Sequence, residues 1–281
     1  MYKNSEQIAI LMSTYNGGKF IGEQLESLFQ QSVQTFHLYI RDDGSTDNTL
    51  KIVSAFIDRF PSQITLVQDS ATHCGPAKSF MTLLEDVDSE YYMFCDQDDV
   101  WFPTKIEHTF AQIKALEKEK SGDVNDRVPI LVATDLQVVD ANLNLIDNSF
   151  NKDLKIDVFR KHPQLLCIRH VVTGCTAMFN KAAKKVSLPF SSLATMHDEW
   201  IALKVFFNKG IVYMMDETTI SYRQHSGNEH GASQATTSKL KRCLSPKWRK
   251  QFFSAIKLLH KEFKLPYIKF IWYKILYSWT R

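Results

Sequence analysis

Apolar residues in the first half of the chain come in short dense runs that alternate with stretches of helical spacing. That pattern predicts βαβ units and a largely parallel sheet. Ile8 to Ser13 reads as a strand with Thr14-Tyr15-Asn16-Gly17-Gly18 as its exit loop, after which Phe20, Ile21, Leu25, Leu28 and Phe29 share one helical face. His37 to Arg41 is a second strand ending in Asp42-Asp43-Gly44-Ser45, and Ser45 or Thr46 is placed to cap a helix reaching about Phe60. Asp47 falls in that helix's first turn, where the macrodipole favours it. Ile64 to Val67 is a third strand, Pro76 opens a helix to about Glu85, and Tyr91 to Cys95 is a fourth strand. Pro103 starts a helix to about Lys120, and Ser121 to Arg127 is a surface loop. Further strands are predicted at Ile130 to Thr134, Val171 to Phe179, Ile211 to Met214 and Thr218 to Tyr222, with helices near Ala182 and from Asp198 to Phe207.

A chain of 281 residues can bury a sizeable core. Five cysteines without paired spacing fit a reducing cytosol rather than a disulfide framework. Met1 to Gln7 is too polar, and Ile8 to Met12 too short, for a signal peptide. No stretch approaches the roughly 20 apolar residues that cross a bilayer. The net charge of +3 hides an asymmetry: Lys239 to Arg281 holds 12 Lys/Arg against the single acid Glu262, leaving a net of −8 on the rest. This divides the chain into an α/β domain at 1–231 and a basic, aromatic C-terminal appendage at 239–281, with the boundary in the polar run 232–238.

Three predicted strands fire into polar loops, at Thr14–Gly18, Asp42–Ser45 and Asp96–Asp99, and ligands of open parallel sheets bind at such carboxyl ends. Asp96-Gln97-Asp98-Asp99 sets three carboxylates in four positions, a costly cluster without a cation. Oxygen ligands there suit Mg²⁺ or Mn²⁺, which in turn hold substrate phosphates. Asp42-Asp43-Gly44-Ser45 is equally a turn or a site where a carboxylate accepts hydrogen bonds from a base and ribose. Trp101 beside the acids is a sugar-stacking platform or a core residue. His197-Asp198 opens a helix, so Asp198 is either a dipole-stabilised first-turn residue or a general base oriented by His197 or a neighbour. In Arg223-Gln224-His225 the histidine is a candidate metal ligand and Arg223 a phosphate partner. No Walker-type or dinucleotide-type glycine loop occurs.

The ordered run Ile10-Leu11-Met12-Ser13-Thr14-Tyr15-Asn16, Asp42-Asp43-Gly44-Ser45, Asp96-Gln97-Asp98-Asp99, His197-Asp198 resembles the family 2 inverting glycosyltransferases of GT-A fold. The wording Asp96-Gln97-Asp98-Asp99-Val100-Trp101 with Tyr222-Arg223-Gln224-His225 is most similar to the bacterial rhamnosyltransferase branch. The resemblance implies a GT-A-type sheet flanked by helices and a nucleotide-sugar donor held by Thr14, Tyr15, Asp43, Lys78, Asp96 and Arg223. It implies Mn²⁺ or Mg²⁺ on Asp98 and His225, Asp198 as catalytic base, and an acceptor side formed by Trp101, Gly174, Cys175 and Glu199. Where relatives have Asn-x-Gly-x-x-x-Asn-Phe, this chain has His73-Cys74-Gly75-Pro76-Ala77-Lys78-Ser79-Phe80, which removes the asparagine contacts and leaves Lys78 near the donor. The implied activity is transfer of a sugar, from TDP-rhamnose in the first instance, to a hydroxyl of a growing cell-surface polysaccharide. The alternatives are transfer from a UDP-hexose or UDP-N-acetylhexosamine, and a non-catalytic sugar-nucleotide-binding protein.

In the appendage Trp248, Phe252, Ile256, Leu259 and Phe263 form one helical stripe, and Ile268, Ile271, Trp272, Ile275 and Trp279 another beyond Pro266. Basic faces opposite such stripes describe helices lying on an anionic membrane surface. The competing readings are packing on the domain and a homodimer contact. Nucleic acid is disfavoured because the acidic body repels phosphate. A lipid-linked glycan acceptor, and a cytoplasmic protein peripheral on the inner face of the cell membrane, follow as expectations.

Overall fold

A computed structural model describes residues 2–3, 8–69, 73–120, 128–225 and 246–280. The predicted loop at 121–127 and boundary at 232–238 lie outside the described residues, as do the side chains of Lys247, Trp248, Arg249 and Lys250. The first half runs β1 (Tyr2–Lys3), β2 (Ile8–Thr14), α1 (Ile21–Phe29), β3 (Phe36–Asp42), α2 (Thr49–Arg59), β4 (Ile64–Val67), α3 (Pro76–Asp86), β5 (Val87–Asp88) and β6 (Tyr91–Cys95). Strands β4, β3, β2 and β6 lie side by side and parallel. Six of the seven β2 residues are buried, as expected of a strand covered on both faces. Thr14 pairs with Asp42 and Met12 with Cys95, so three strand ends open along one edge of the sheet.

The second half adds β7 (Val100–Trp101), α4 (Lys105–Lys120), β8 (Ile130–Val139), β9 (Leu145–Asp147), α5 (Ile156–Lys161), β10 (Ala177–Asn180), α6 (Lys181–Ser187), α7 (His197–Phe207) and β11 (Ile211–Arg223). Here the ladder becomes mixed: β10 runs antiparallel between β6 and β8, β11 pairs β8 in parallel, and β7 edges β11 antiparallel. Several predicted boundaries move, among them the end of β8, expected at Thr134 and found at Val139. The strand expected from Val171 exists only from Ala177, because Gly174–Thr176 forms one tight turn and the Gly174 N–H donates to Asp198 instead of a ladder partner. Strands expected at Ile211 to Met214 and Thr218 to Tyr222 are one strand, β11, interrupted by irregular register on either side of Thr218. The start of α2 is also different: its N-cap is Asn48, not Ser45 or Thr46, and Asp47, expected in the first turn, precedes the helix and accepts from Thr49 N and Oγ1.

Helices α1, α2 and α4 cover one face of the sheet and α3 and α7 the other, giving two apolar layers. Helices α8 (Pro246–Phe263) and α9 (Tyr267–Trp279) extend the second layer. Phe263 stacks on Phe207 at 4.4 Å and meets Trp200 at 5.6 Å, while Leu258, Leu259 and Phe270 are buried. The two predicted stripes meet opposite fates. The α8 stripe turns inward through Phe252, Ile256, Leu259 and Phe263; α9 packs instead through Phe270, Tyr273, Leu276 and Tyr277, and its predicted stripe is exposed.

Candidate active site

The three polar loops are stitched together by side chains. Gln97 brackets Tyr15, donating from Nε2 to its carbonyl at 3.0 Å and accepting its N–H at 2.9 Å. Asn16 accepts from Thr46 N at 2.8 Å and donates its own N–H to Ser45 Oγ at 2.8 Å. The neighbouring acids Asp42 and Asp43 then divide the work. Asp42 is the turn residue, accepting from Thr14 Oγ1, Gly44 N and Ser45 N at 2.8–3.1 Å, and Gly44 supplies the positive φ of 95° that this turn requires. Asp43 lines the cavity, held by Arg41 Nη1 at 2.9 Å and by the N–H groups of Cys74 and Gly75 at 2.9 and 2.8 Å. Burial alone would raise its pKa, but the Cys74 N–H, Arg41 and the Gly75 N–H outweigh burial and hold it below the usual carboxylate range. Arg41 also grips Asp69 and donates to Ser79, which receives Ser13 Oγ at 2.6 Å. The segment 73–80 therefore contributes the Cys74 and Gly75 N–H groups to Asp43 and the Ser79 hydroxyl to Arg41.

The carboxylates after β6 form the middle of the site. Asp98 Oδ2 lies 2.8 Å from His225 Nε2. Burial and the mutual repulsion of the acids push Asp96 and Asp99 upward, with Asp198 adding to the effect on Asp96. Ligand atoms of Asp96, Asp99 and Cys175 fall within 4.8 Å of one another. That set is two carboxylates and a thiol, with the Asp98–His225 pair outside it; a hard divalent cation would take the carboxylates and the imidazole rather than the thiol. Arg223 braces the cluster from behind, donating to the Asp98 and Ala141 carbonyls, each at 2.8 Å, and to Glu23 at 2.5 Å.

At the far end, Asp198 stands in the first turn of α7. Its Oδ2 accepts the Gly174 N–H at 2.9 Å and its Oδ1 accepts the Glu199 N–H at 2.8 Å. His170 Nε2 makes an ion-pair contact with Oδ1 at 3.3 Å. Burial opposes ionisation of Asp198, but His170 above all, then His197 and the Glu199 N–H, hold it far below the usual range. Burial likewise disfavours the His170 imidazolium, yet Asp198, Glu199 and the Val172 backbone raise it to about 9. His197, stacked on Phe80 at 4.4 Å, is driven down to about 4 chiefly by burial. So the orienting partner of Asp198 is His170, a residue that the sequence did not mark. Gly174 allows the approach: a Cβ there would lie 2.7 Å from His197 Nε2 and 3.4 Å from Asp198 Oδ2.

A single cavity of about 740 Å³ joins these parts, lined by Tyr15, Asp43 and His73, by Asp96 and Asp98, and by Gly174, His170 and Asp198. Leu136, Phe150, Val172 and Met196 give it an apolar wall. Several expected residues stand elsewhere. Trp101 is 2% exposed with Lys105 over its ring, so it is core and not a platform. Arg223 is 2% exposed and its guanidinium is engaged by protein partners, so it braces the Asp98 loop and does not line the cavity. Cys175 lies beneath the carboxylates and not on the acceptor wall, because the Gly174–Thr176 turn points it inward. Thr14 is buried on Asp42 and Lys78 is exposed on α3; Thr14, Lys78, Glu199 and His225 do not line the cavity, although His225 meets the cavity-lining Asp98.

Residues 9–186 match the family model described as Glycosyl transferase family 2. The chain belongs to that family. The dTDP-rhamnosyl transferase RfbG of Shigella flexneri is 30% identical over 243 residues, covering 82% of this chain and 77% of that protein. Among solved structures, the TarS fragment 1–349 of S. aureus in complex with UDP-GlcNAc aligns with a TM-score of 0.62 at 20% identity, over 90% of this chain and 66% of that one. The mannosyltransferase PcManGT from Pyrobaculum calidifontis, in complex with GDP-Man and Mn²⁺, aligns at 0.59 and 15% identity, over 80% of this chain and 59% of that one. This glycosyltransferase thus spans under two thirds of either structure's length, and both likenesses establish the GT-A fold.

Proposed function

We propose that this glycosyltransferase moves a sugar from a nucleoside-diphosphate donor to an acceptor hydroxyl by one inverting displacement. The observation that carries the reading is the cavity itself, which sets Asp43, the carboxylate cluster and Asp198 along one continuous wall. Tyr15, edge-on to His73 at 5.4 Å, and Asp43 form the end for the base and ribose. Asp98 and His225, beside Asp96, would hold Mn²⁺ or Mg²⁺, which when bound neutralises charge on the departing diphosphate. Asp198 stays ionised and takes the proton from the acceptor hydroxyl as its oxygen bonds to the anomeric carbon. A carboxylate is a far weaker base than an alkoxide, so the proton moves with bond formation and not ahead of it. One carboxylate suffices for this chemistry, whereas a retaining glycosidase uses a second as nucleophile.

Similarity to the Shigella enzyme favours TDP-rhamnose as donor. The acceptor in this reading is a growing cell-surface polysaccharide, lipid-linked and met at the inner face of the membrane. Release of nucleoside diphosphate from TDP-rhamnose, UDP-hexoses and UDP-N-acetylhexosamines, with and without Mn²⁺, tests it. Metal-dependent turnover that prefers TDP-rhamnose is expected, with Asp198→Asn slowing it on the order of 10²–10⁴-fold at unchanged donor binding. Full turnover in that variant would remove Asp198 from the role of base.

A further inference from the structure

The outer face of α9 has no partner among the described residues. Ile268, Ile271, Trp272, Ile275 and Trp279 recur at helical spacing and are exposed between 44% at Ile275 and 86% at Trp279. The opposite face of the same helix, through Phe270, Tyr273, Leu276 and Tyr277, already packs on the domain, and Arg169 donates to the Tyr277 hydroxyl at 2.8 Å. Core packing therefore accounts for one side of α9 only. An apolar surface of this size on a folded protein marks an interaction site.

The surroundings of the stripe identify its occupant. Lys257, Lys261, Lys264 and Lys269 are exposed along α8, α9 and the link between them, and the one acid of the segment, Glu262, is taken by Ser191. Large aliphatic side chains and two tryptophans on a helical pair that also exposes these lysines suit the boundary of a lipid bilayer, where indoles and alkyl chains enter the acyl region and ammonium groups meet anionic headgroups. No helix among the described residues is long and apolar enough to cross a membrane, so α9 has to lie along the surface. We propose that the outer face of α9 is the docking surface of this protein for an anionic lipid bilayer. No α9 residue lines the cavity, so the surface stands independently of the catalytic reading.

Flotation of the full chain with phosphatidylcholine vesicles, with and without phosphatidylglycerol, tests the proposal. The wild type is expected to float with the phosphatidylglycerol vesicles, at least tenfold more than with phosphatidylcholine alone. The double variant Ile271→Asp/Ile275→Asp should lose that binding at least tenfold, and so should Lys264→Glu/Lys269→Glu. Because these side chains are exposed, both variants should keep the wild-type melting temperature and the same thermal shift with nucleoside diphosphate, a readout that belongs to the active site. Equal flotation of the aspartate variant and the wild type would overturn the proposal, as would a wild type that ignores anionic vesicles. So would sedimentation showing a dimer that Ile271→Asp/Ile275→Asp dissociates, with no lipid binding by the wild type, since the face would then join two copies of the chain.

Discussion

Neighbouring residues of one chemical type take opposite roles here, and their partners decide which. Asp42 ties a turn while Asp43 faces the cavity, and His170 is held protonated by Asp198 while His197 is kept neutral by burial among aromatic rings. His170→Gln should leave Asp198 buried without its counter-charge, lowering kcat while the donor KM stays nearly constant. The pair also affects stability. The pKa of His170 rises from 6.5 to about 9 on folding, so its contribution is full below 6.5 and is lost as pH climbs through about 9. Melting temperatures of wild type and His170→Gln should therefore converge over that interval, and parallel curves would remove the ion pair from the account. Gly174→Ala places a methyl 2.7 Å from His197 Nε2, so kcat should fall sharply through displacement of Asp198. Wild-type kinetics in that variant would contradict this packing.

At the scale of elements, α7 links Asp198 to the C-terminal helices. Trp200 is 1% exposed, donates from Nε1 to Ser187 O at 2.7 Å and packs on Phe263 of α8. Trp200→Ala should cost about 3–5 kcal/mol, read as a lower denaturation midpoint, and should loosen the appendage. The strands feeding the site were legible in sequence, since Ile8, Tyr91 and their followers are apolar runs stopped by turn residues. Strands β8 and β11 were harder to read, because buried polar pairs break the apolar pattern: Thr134 meets Thr219 at 2.6 Å, and Asp135 accepts from Asn151 N at 3.0 Å. His170 carried no signal, since its tie to Asp198 exists only after the Gly174 turn folds the chain back. In α9 both faces are apolar, so periodicity could name a stripe but not the side that packs.

Over the whole molecule, the parallel half supplies the loops at the Asp43 end, the mixed half supplies Gly174, His170 and Asp198, and the carboxylates of β6 lie at the seam. Under the proposed function, that division would set a nucleoside diphosphate near Asp98 and His225, the residues that would hold the cation. Thermal melting with TDP and UDP, in the presence and absence of Mn²⁺, tests this most directly because it needs no acceptor. A ligand at 100 times its Kd adds about 2.7 kcal/mol to the folded state. The predicted result is a rise in melting temperature with a nucleoside diphosphate that requires Mn²⁺ and disappears in Asp98→Asn. No rise with either nucleotide, or an equal rise without metal, would contradict the metal-dependent transferase site.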